Sequence, residues 1–301
     1  MTFEITSTES LNRCRDMDKK RDLKKRLKLW LKIGLPILFL GWIMLEAFLI
    51  GPIRLVLVEH DIPIAGLPDE WNGFRIVLLG DFHASRIGMD QDLIRRAIRL
   101  ANRQNADLML LLGDYLNGQS EEDAMPIDEF FPLLAQLKAK YGVYAIIGNH
   151  DRKINPAKII HALEENKIPV LNNRSVVFRK NGKKLHLAGL SANKSKVNLK
   201  FLKAEAGEPV IVMTHFPVHY PKISKKVSLI VAADTHGGQF YLPLIGRPGI
   251  PEKSRKYAYG LMEFEPGKKM FVTSGLGTSR VRMRLNCPPE VVVLTLVKSD
   301  L

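Results

Sequence analysis

Short, unbroken apolar runs alternate with polar and amphipathic stretches along most of this chain. Residues 74–79 read FRIVLL, 108–112 read LMLLL and 144–147 read YAII. Apolar runs this short suit strands buried on both faces. Between the first two, Leu93, Ile94, Ala97, Ile98 and Ala101 recur at the spacing of one helix face. A second helix is expected over 130–139. Asn155 followed by Pro156 reads as an N-cap with proline at the first helical position, opening a helix through Leu163. This strand–helix alternation predicts βαβ units and a parallel sheet covered by helices. The second half has more strand character, at 175–178, 185–190, 210–213, 229–231, 270–273 and 291–297. The expected fold is α/β, a four-layer α/β/β/α sandwich.

One stretch breaks the pattern. Residues 33–50 read IGLPILFLGWIMLEAFLI, close to the shortest apolar length that spans a bilayer. Pro36 and Glu46 weaken it, and a buried core helix or a cleaved signal peptide are the alternatives; no small-x-small cleavage site follows. Trp30 and Trp42 suit the membrane interface. The expected organisation is a basic segment over 1–32, a membrane anchor helix over 33–50 and one domain over 51–301. A single anchor in the cell (inner) membrane follows. If it spans, the basic flank stays cytoplasmic and the domain lies outside; if it is monotopic, the domain lies on the cytoplasmic face.

Charge sharpens this. Lys and Arg number 45 against 31 Asp and Glu, a formal net charge of +14. The cations are densest over 13–32, beside the apolar stretch, which favours an anionic membrane surface over nucleic acid. The expected partners are membrane lipid and an anionic, phosphorylated, amphipathic substrate, with no nucleic acid. Cys14 and Cys287, the only cysteines, flank the apolar stretch and are expected as free thiols.

Polar residues with ligand chemistry follow the apolar runs. Asp81 and His83 follow the first, Asp114 the second, and Asn149, His150 and Asp151 the third. His215 follows 210–213, and Asp234 and His236 follow 229–231. In open α/β sheets, ligands bind beyond the carboxyl ends of strands. The donors are carboxylate, amide and imidazole, which suit Mn, Fe, Zn or Mg and exclude a soft thiolate site. A lone Asp-x-His or Gly-Asn-His is usually a turn; five such pieces in order are not. His60, His161, His186 and His219 lack this setting and read as ordinary surface or core residues.

The series GDFH, LLGDY, IIGNHD, MTHFP and DTHGGQ resembles the calcineurin-like metallophosphoesterase family, from Phe74 to the C-terminus. HGGQ, Gly275–Thr278 and RLNCPPE are similar to its membrane-anchored bacterial branch, which includes broad phosphodiesterases and an enzyme cleaving UDP-2,3-diacylglucosamine in lipid A synthesis. The resemblance implies two divalent metals, Mn foremost, with Mg, Fe or Zn as alternatives. Asp81, His83, Asp114 and His236 would hold the first; Asp114 would bridge to a second held also by Asn149, His215 and the residue at 234. His150 would stabilise the phosphoryl group and protonate the leaving group, with Asp151 orienting it. Arg284 matches a family arginine, and Arg280 and Arg282 lie beside it; the three are candidate phosphate contacts, or else a solvated basic face. The family usually has Gly-His-Thr-His where this chain has Ala233-Asp234-Thr235-His236. A third carboxylate lowers the site's charge from about +1 to about zero and hardens the second position toward Mg or Mn. The expected activity is hydrolysis of a phosphodiester or pyrophosphate bond, on a nucleotide-linked lipid precursor such as UDP-2,3-diacylglucosamine. A broad-specificity phosphodiesterase, or a metal-binding membrane protein impaired by Asp234, are the alternatives.

Overall fold

The computed structural model describes residues 5–85, 91–117 and 124–299, in two units, Met1–Ala47 and Phe48–Leu301. In the first, the helix is longer than the apolar pattern predicts. Helix α1 (Ile5–Leu29) takes in most of the basic segment, and a wide π-type turn at Trp30–Gly34 leads into α2 (Leu35–Leu45). Pro36 falls in the first turn of α2, where its missing N–H is tolerated. Helical turns continue through Ile53, so Arg15–Ile53 is a helix of 39 residues, long and apolar enough to cross a membrane. Leu38, Phe39 and Leu40 on it are exposed.

In the second unit eleven strands are described: β1 (Val56–Ala65), β2 (Phe74–Leu79), β3 (Leu108–Leu111), β4 (Val143–Ala145), β5 (Arg174–Lys180), β6 (Lys183–Gly189), β7 (Val210–Met213), β8 (Leu229–Ala232), β9 (Gly260–Glu265), β10 (Lys268–Val272) and β11 (Glu290–Ser299). They form a five-stranded sheet, order β1-β11-β2-β3-β4, and a six-stranded sheet, order β5-β6-β7-β8-β10-β9. The expectation of a parallel sheet needs correction, because both sheets are mixed. The run β2-β3-β4 is parallel, but β11 enters antiparallel to β2 from the far end of the chain. In the second sheet β6-β7-β8-β10 is parallel and antiparallel β5 and β9 close the edges.

The core explains why the strands read as continuous apolar runs. Ile76, Leu78, Leu108 and Leu110 point between the sheets, against Leu187, Ile211, Met213 and Val231. Val77, Leu79, Met109 and Leu111 point the other way, against helices α3 (Gln91–Asn102) and α4 (Ile127–Leu134). A strand buried on both faces has no polar side, so its period of two is hidden. After the short α5 (Asn149–Ile154) comes α6 (Pro156–Glu165), which also covers the first sheet. Its N-cap is Asn155, whose side chain accepts from the Lys158 N–H at 3.1 Å. The outer face of the second sheet is covered by short 3-10 turns at Pro217–Lys222 and Glu252–Tyr257 and by loops. Both sheets turn the carboxyl ends of their parallel strands toward one edge of the sandwich, where the candidate ligands lie.

Candidate metal centre

The loops after β2, β3, β7 and β8 are held to one another before any ligand is considered. The Asp81 N–H donates to Gly113 O at 3.0 Å and the His83 N–H to Asp114 O at 3.0 Å. The Ala233 N–H donates to His215 O at 3.2 Å. Asp81, His83, Asp114, Asp234 and His236 all have left-handed backbones, with φ of 49°, 45°, 55°, 70° and 51°. Each such residue costs about 1–2 kcal/mol, less for Asp, so five at one site need a surrounding structure that enforces them. Gly148 and Gly275 supply the space: a Cβ on Gly148 would run into the Asp114 carboxylate, and one on Gly275 into the Asp81 side chain.

The side chains converge on Asp114. Its Oδ2 lies 3.5 Å from His83 Nε2 and 3.2 Å from His215 Nε2. Beyond His83, the Nε2 of His236 is 3.0 Å away, and Asp81, His83 and His236 form one group with ligand atoms within 4.8 Å of each other. Beyond His215, Asn149 Oδ1 is 3.2 Å away and Asp234 Oδ1 3.7 Å away from its Nε2. The second oxygen of Asp114 accepts from the His150 N–H at 2.8 Å, and the Asp234 N–H donates to Asp81 Oδ1 at 3.2 Å, which joins the two sets. Asp81, His83, Asp114, His215 and His236 are buried.

Cations fit this donor set. Asp81 Oδ2 is buried without a hydrogen-bond partner. Hydrogen bonding alone favours the opposite amide orientation of Asn149, with nitrogen toward Asp234 Oδ1 at 3.1 Å and His215 Nε2 at 3.2 Å. In the structure the amide oxygen faces His215 Nε2, where it could also ligate a cation. Electrostatics agree. Burial pushes the Asp81 carboxyl up to about 8, and it pushes the His83 imidazole down to about 4. Burial also raises the Asp234 carboxyl and lowers His236. Burial opposes ionisation of Asp114 too, but His215, His83 and His150 outweigh it and keep the carboxylate ionised.

His150 is half-buried, its ring edge-on to His83 at 4.7 Å, and its atoms come within reach of the His83–Asp114 group. Asp151 is not turned to that ring, which corrects the expected orienting role. Its Oδ2 accepts from the Asp114 and Gly148 N–H groups, both at 2.8 Å, and its Oδ1 from the Tyr115 N–H at 2.9 Å. It clasps the Gly-Asp and Gly-Asn-His loops together. Arg284 is likewise corrected. It is fully buried, and its guanidinium donates to the carbonyls of Ser274, Gly275, Gly277, Cys287 and Pro288. No donor is left for a phosphate. Arg280 and Arg282 are exposed.

The histidines read as ordinary have partners of their own. His161 pairs with Glu165 at 3.1 Å on the surface, His186 with Glu208 at 2.6 Å, and the His60 ring packs against Phe271. His219 bridges Thr214 Oγ1 at 2.7 Å and Asn193 O at 3.0 Å, which ties the 191–194 loop to the site. That loop carries Lys194, a cation acting on Asp234 with its Nζ 5.4 Å over the Phe216 ring; no motif marked it. Gln239 was also missed. It joins the HGGQ turn to the later arginine loop, donating to Val281 O at 3.0 Å and Met283 O at 3.1 Å. Cys287 is a free, buried thiol, and the Cys14 side chain lies outside the described residues.

A two-sheet α/β sandwich with a shared carboxylate between two His-containing ligand groups is the architecture of a metal-dependent hydrolase. Residues 74–241 match the calcineurin-like phosphoesterase model, and the chain belongs to that family. It is 33% identical over 253 residues to phosphodiesterase YaeI of Escherichia coli, covering 80% of this chain and 88% of that protein. It is 25% identical to a zebrafish transmembrane protein with a metallophosphoesterase domain, covering 79% of this chain and 56% of that one. Among solved structures it is similar to a dimetal phosphatase from Danio rerio, at 14% identity and a TM-score of 0.42, covering 68% of this chain and 88% of that one. The protein is a metal-dependent hydrolase of phosphoric esters, of a family that uses divalent metals.

Proposed function

We propose that the protein is a two-metal phosphodiesterase, tethered to the cell membrane by its N-terminal helix, that cleaves an amphipathic phosphodiester or pyrophosphate. The observation that carries this is Asp114, whose Oδ2 lies close to both His83 and His215. In this reading Asp81, His83, Asp114 and His236 hold one cation, and Asp114, Asn149, His215 and Asp234 the other. Two divalent cations bound there supply Lewis-acid activation of the phosphoryl group and an acidified water. Asp114 stays ionised because three imidazoles surround it. His150, half-buried beside the group, is placed to pass a proton to the leaving oxygen, though burial lowers its imidazole from the ordinary value. Arg280 and Arg282 are exposed and available to an anion. Mn, or Mg with the carboxylate of Asp234, is the favoured metal.

The substrate proposed is membrane-resident, with a nucleotide-linked lipid precursor such as UDP-2,3-diacylglucosamine as the specific compound to assay. Supporting it are the long apolar helix and the net charge of +14. The test is turnover of that compound in mixed micelles against a soluble aryl phosphodiester, with Mn, Mg or Zn added to metal-stripped protein. Preference for the lipid compound supports the specific reading. Turnover of the aryl ester alone leaves the broad phosphodiesterase named above, and no turnover of any phosphoester with any metal overturns both.

A further inference from the structure

Two loops leave the metal centre side by side. One runs from His236 through 237–251, and the other from Gly275, packed on Asp81, through 275–289. They are tied together: the Tyr241 N–H donates to Leu285 O at 2.9 Å, Asn286 Nδ2 to Tyr241 O at 3.1 Å, and Gln239 bonds both ways across the gap. The first loop closes in a tight turn, where the Leu242 and Gly246 backbones pair and Pro243, Leu244 and Ile245 form the tip.

The tip is apolar and open. Leu244 is 100% exposed, Ile245 68% and, on the second loop, Val281 52%. A tied turn that holds a leucine wholly in solvent gains nothing from the fold for doing so. Within the two loops the charge has one sign, with the exposed Glu252 directly after the first. The two loops contain Arg247, Arg280, Arg282 and Arg284 and no acidic residue. Arg284 is consumed by carbonyls, but Arg280 and Arg282 flank Val281 and are exposed. The Arg247 guanidinium lies between the rings of Tyr241 at 5.2 Å and Tyr259 at 4.6 Å. Exposed apolar side chains together with exposed arginines on two tied loops suit a bilayer surface, where acyl chains lie under anionic headgroups. A protein partner would bring acidic side chains instead, and the last arm of the test below separates that outcome.

We infer that Leu244, Ile245 and Val281 dip into an anionic lipid leaflet, with Arg280 and Arg282 on its headgroups, so that the metal centre is held at the lipid surface. This contact belongs to the Phe48–Leu301 unit and is separate from the N-terminal helix. It rests on the membrane setting of the proposed function but not on turnover.

The test uses the full chain with Cys14→Ser and Leu244→Cys, labelled with an environment-sensitive fluorophore and reconstituted into vesicles. Cys287 is buried, and the Cys14→Ser parent measures any labelling there. A label at Glu164→Cys, exposed on α6, is the control. The expected result is a blue shift and quenching by acyl-chain-brominated lipid at position 244 but not 164. It should be greater in phosphatidylglycerol vesicles than in phosphatidylcholine, and weakened by 1 M salt, where screening shortens to about 3 Å. Three results overturn the inference: no shift at 244 in any vesicle, a shift equal in neutral lipid, or a shift that follows protein concentration without lipid, which would mean a second copy covers the tip. Because the label reports contact and not chemistry, an inactive protein can pass and an active one can fail.

Discussion

The Oδ2 atom of Asp114 lies 3.2 Å from Nε2 of His215 and 3.5 Å from Nε2 of His83. One oxygen thus joins the group of Asp81, His83 and His236 to that of Asn149, His215 and Asp234, each drawn from both sheets. Asp114→Ala is expected to lower turnover by more than about 10²-fold and to reduce bound metal below two per chain. Elemental analysis alongside phosphodiester turnover checks this. Near-normal rate with two metals would remove Asp114 from the bridging role.

His150→Ala is expected to keep its metal and lose rate, by roughly 10²–10⁴-fold, the usual worth of a positioned proton donor. Because His150 also comes within reach of the His83–Asp114 group, metal content is the deciding measurement. A lost metal would make it a ligand.

Asp234 stands where the family usually has histidine, and its Oδ1 is 3.7 Å from His215 Nε2. Asp234→Ala should lose one of two metals, and Asp234→His should keep activity while shifting preference toward Zn. Metal stoichiometry and rates across a Mn, Mg and Zn series distinguish the outcomes. A silent alanine variant would place Asp234 outside the site.

Asp151 accepts three backbone N–H groups. Asp151→Asn turns an amide N–H toward one of those donors and should cost about 1–3 kcal/mol of stability, with metal content falling as the two loops separate. Urea unfolding reads it. A variant of unchanged stability with a lowered rate would restore the role of orienting His150.

Arg284→Lys should destabilise on the order of 3 kcal/mol, since one ammonium cannot satisfy five carbonyls arranged for a guanidinium. Arg280→Ala and Arg282→Ala should each stay within about 0.5 kcal/mol, as exposed substitutions do. Thermal unfolding of the three variants gives the comparison.

What the residues disclosed in advance depended on how local the signal was. Leu108–Leu111 and Val210–Met213 were legible as strands because burial on both faces leaves no polar residue in the run. The first strand, Val56–Ala65, was not. It lies at the sheet edge with alternate residues in solvent, and Glu59, His60, Asp61 and Pro63 hide it. The strand Gly260–Glu265 was lost for the same reason. The six residues of Asn149–Ile154 are too few for a helical period to show. In the site, ligand types and their order were visible in the motifs, because each motif directly follows its strand. Destinations that depend on distant chain were not visible. Asp151 is engaged by Asp114 and Tyr115, across the sheet, and Arg284 by carbonyls converging from 274–288. Nothing in a charged residue's own neighbourhood distinguishes a clasp from a substrate contact.

The left-handed backbones at Asp81, His83, Asp114, Asp234 and His236 bear on what a saturation library would return. At these positions two selections act on different atoms. Cellular abundance reads the main chain, which glycine and asparagine tolerate best and valine and isoleucine worst. Turnover reads the side chain, which almost any replacement destroys. Abundance and activity scores should therefore part company at these five codons, with glycine and asparagine variants plentiful but inert. At an ordinary buried position such as Leu110 the two scores should fall together. A family member that drifted from catalysis to a binding role would be expected to pass first through those plentiful, inert states, keeping the fold of the site after losing its chemistry.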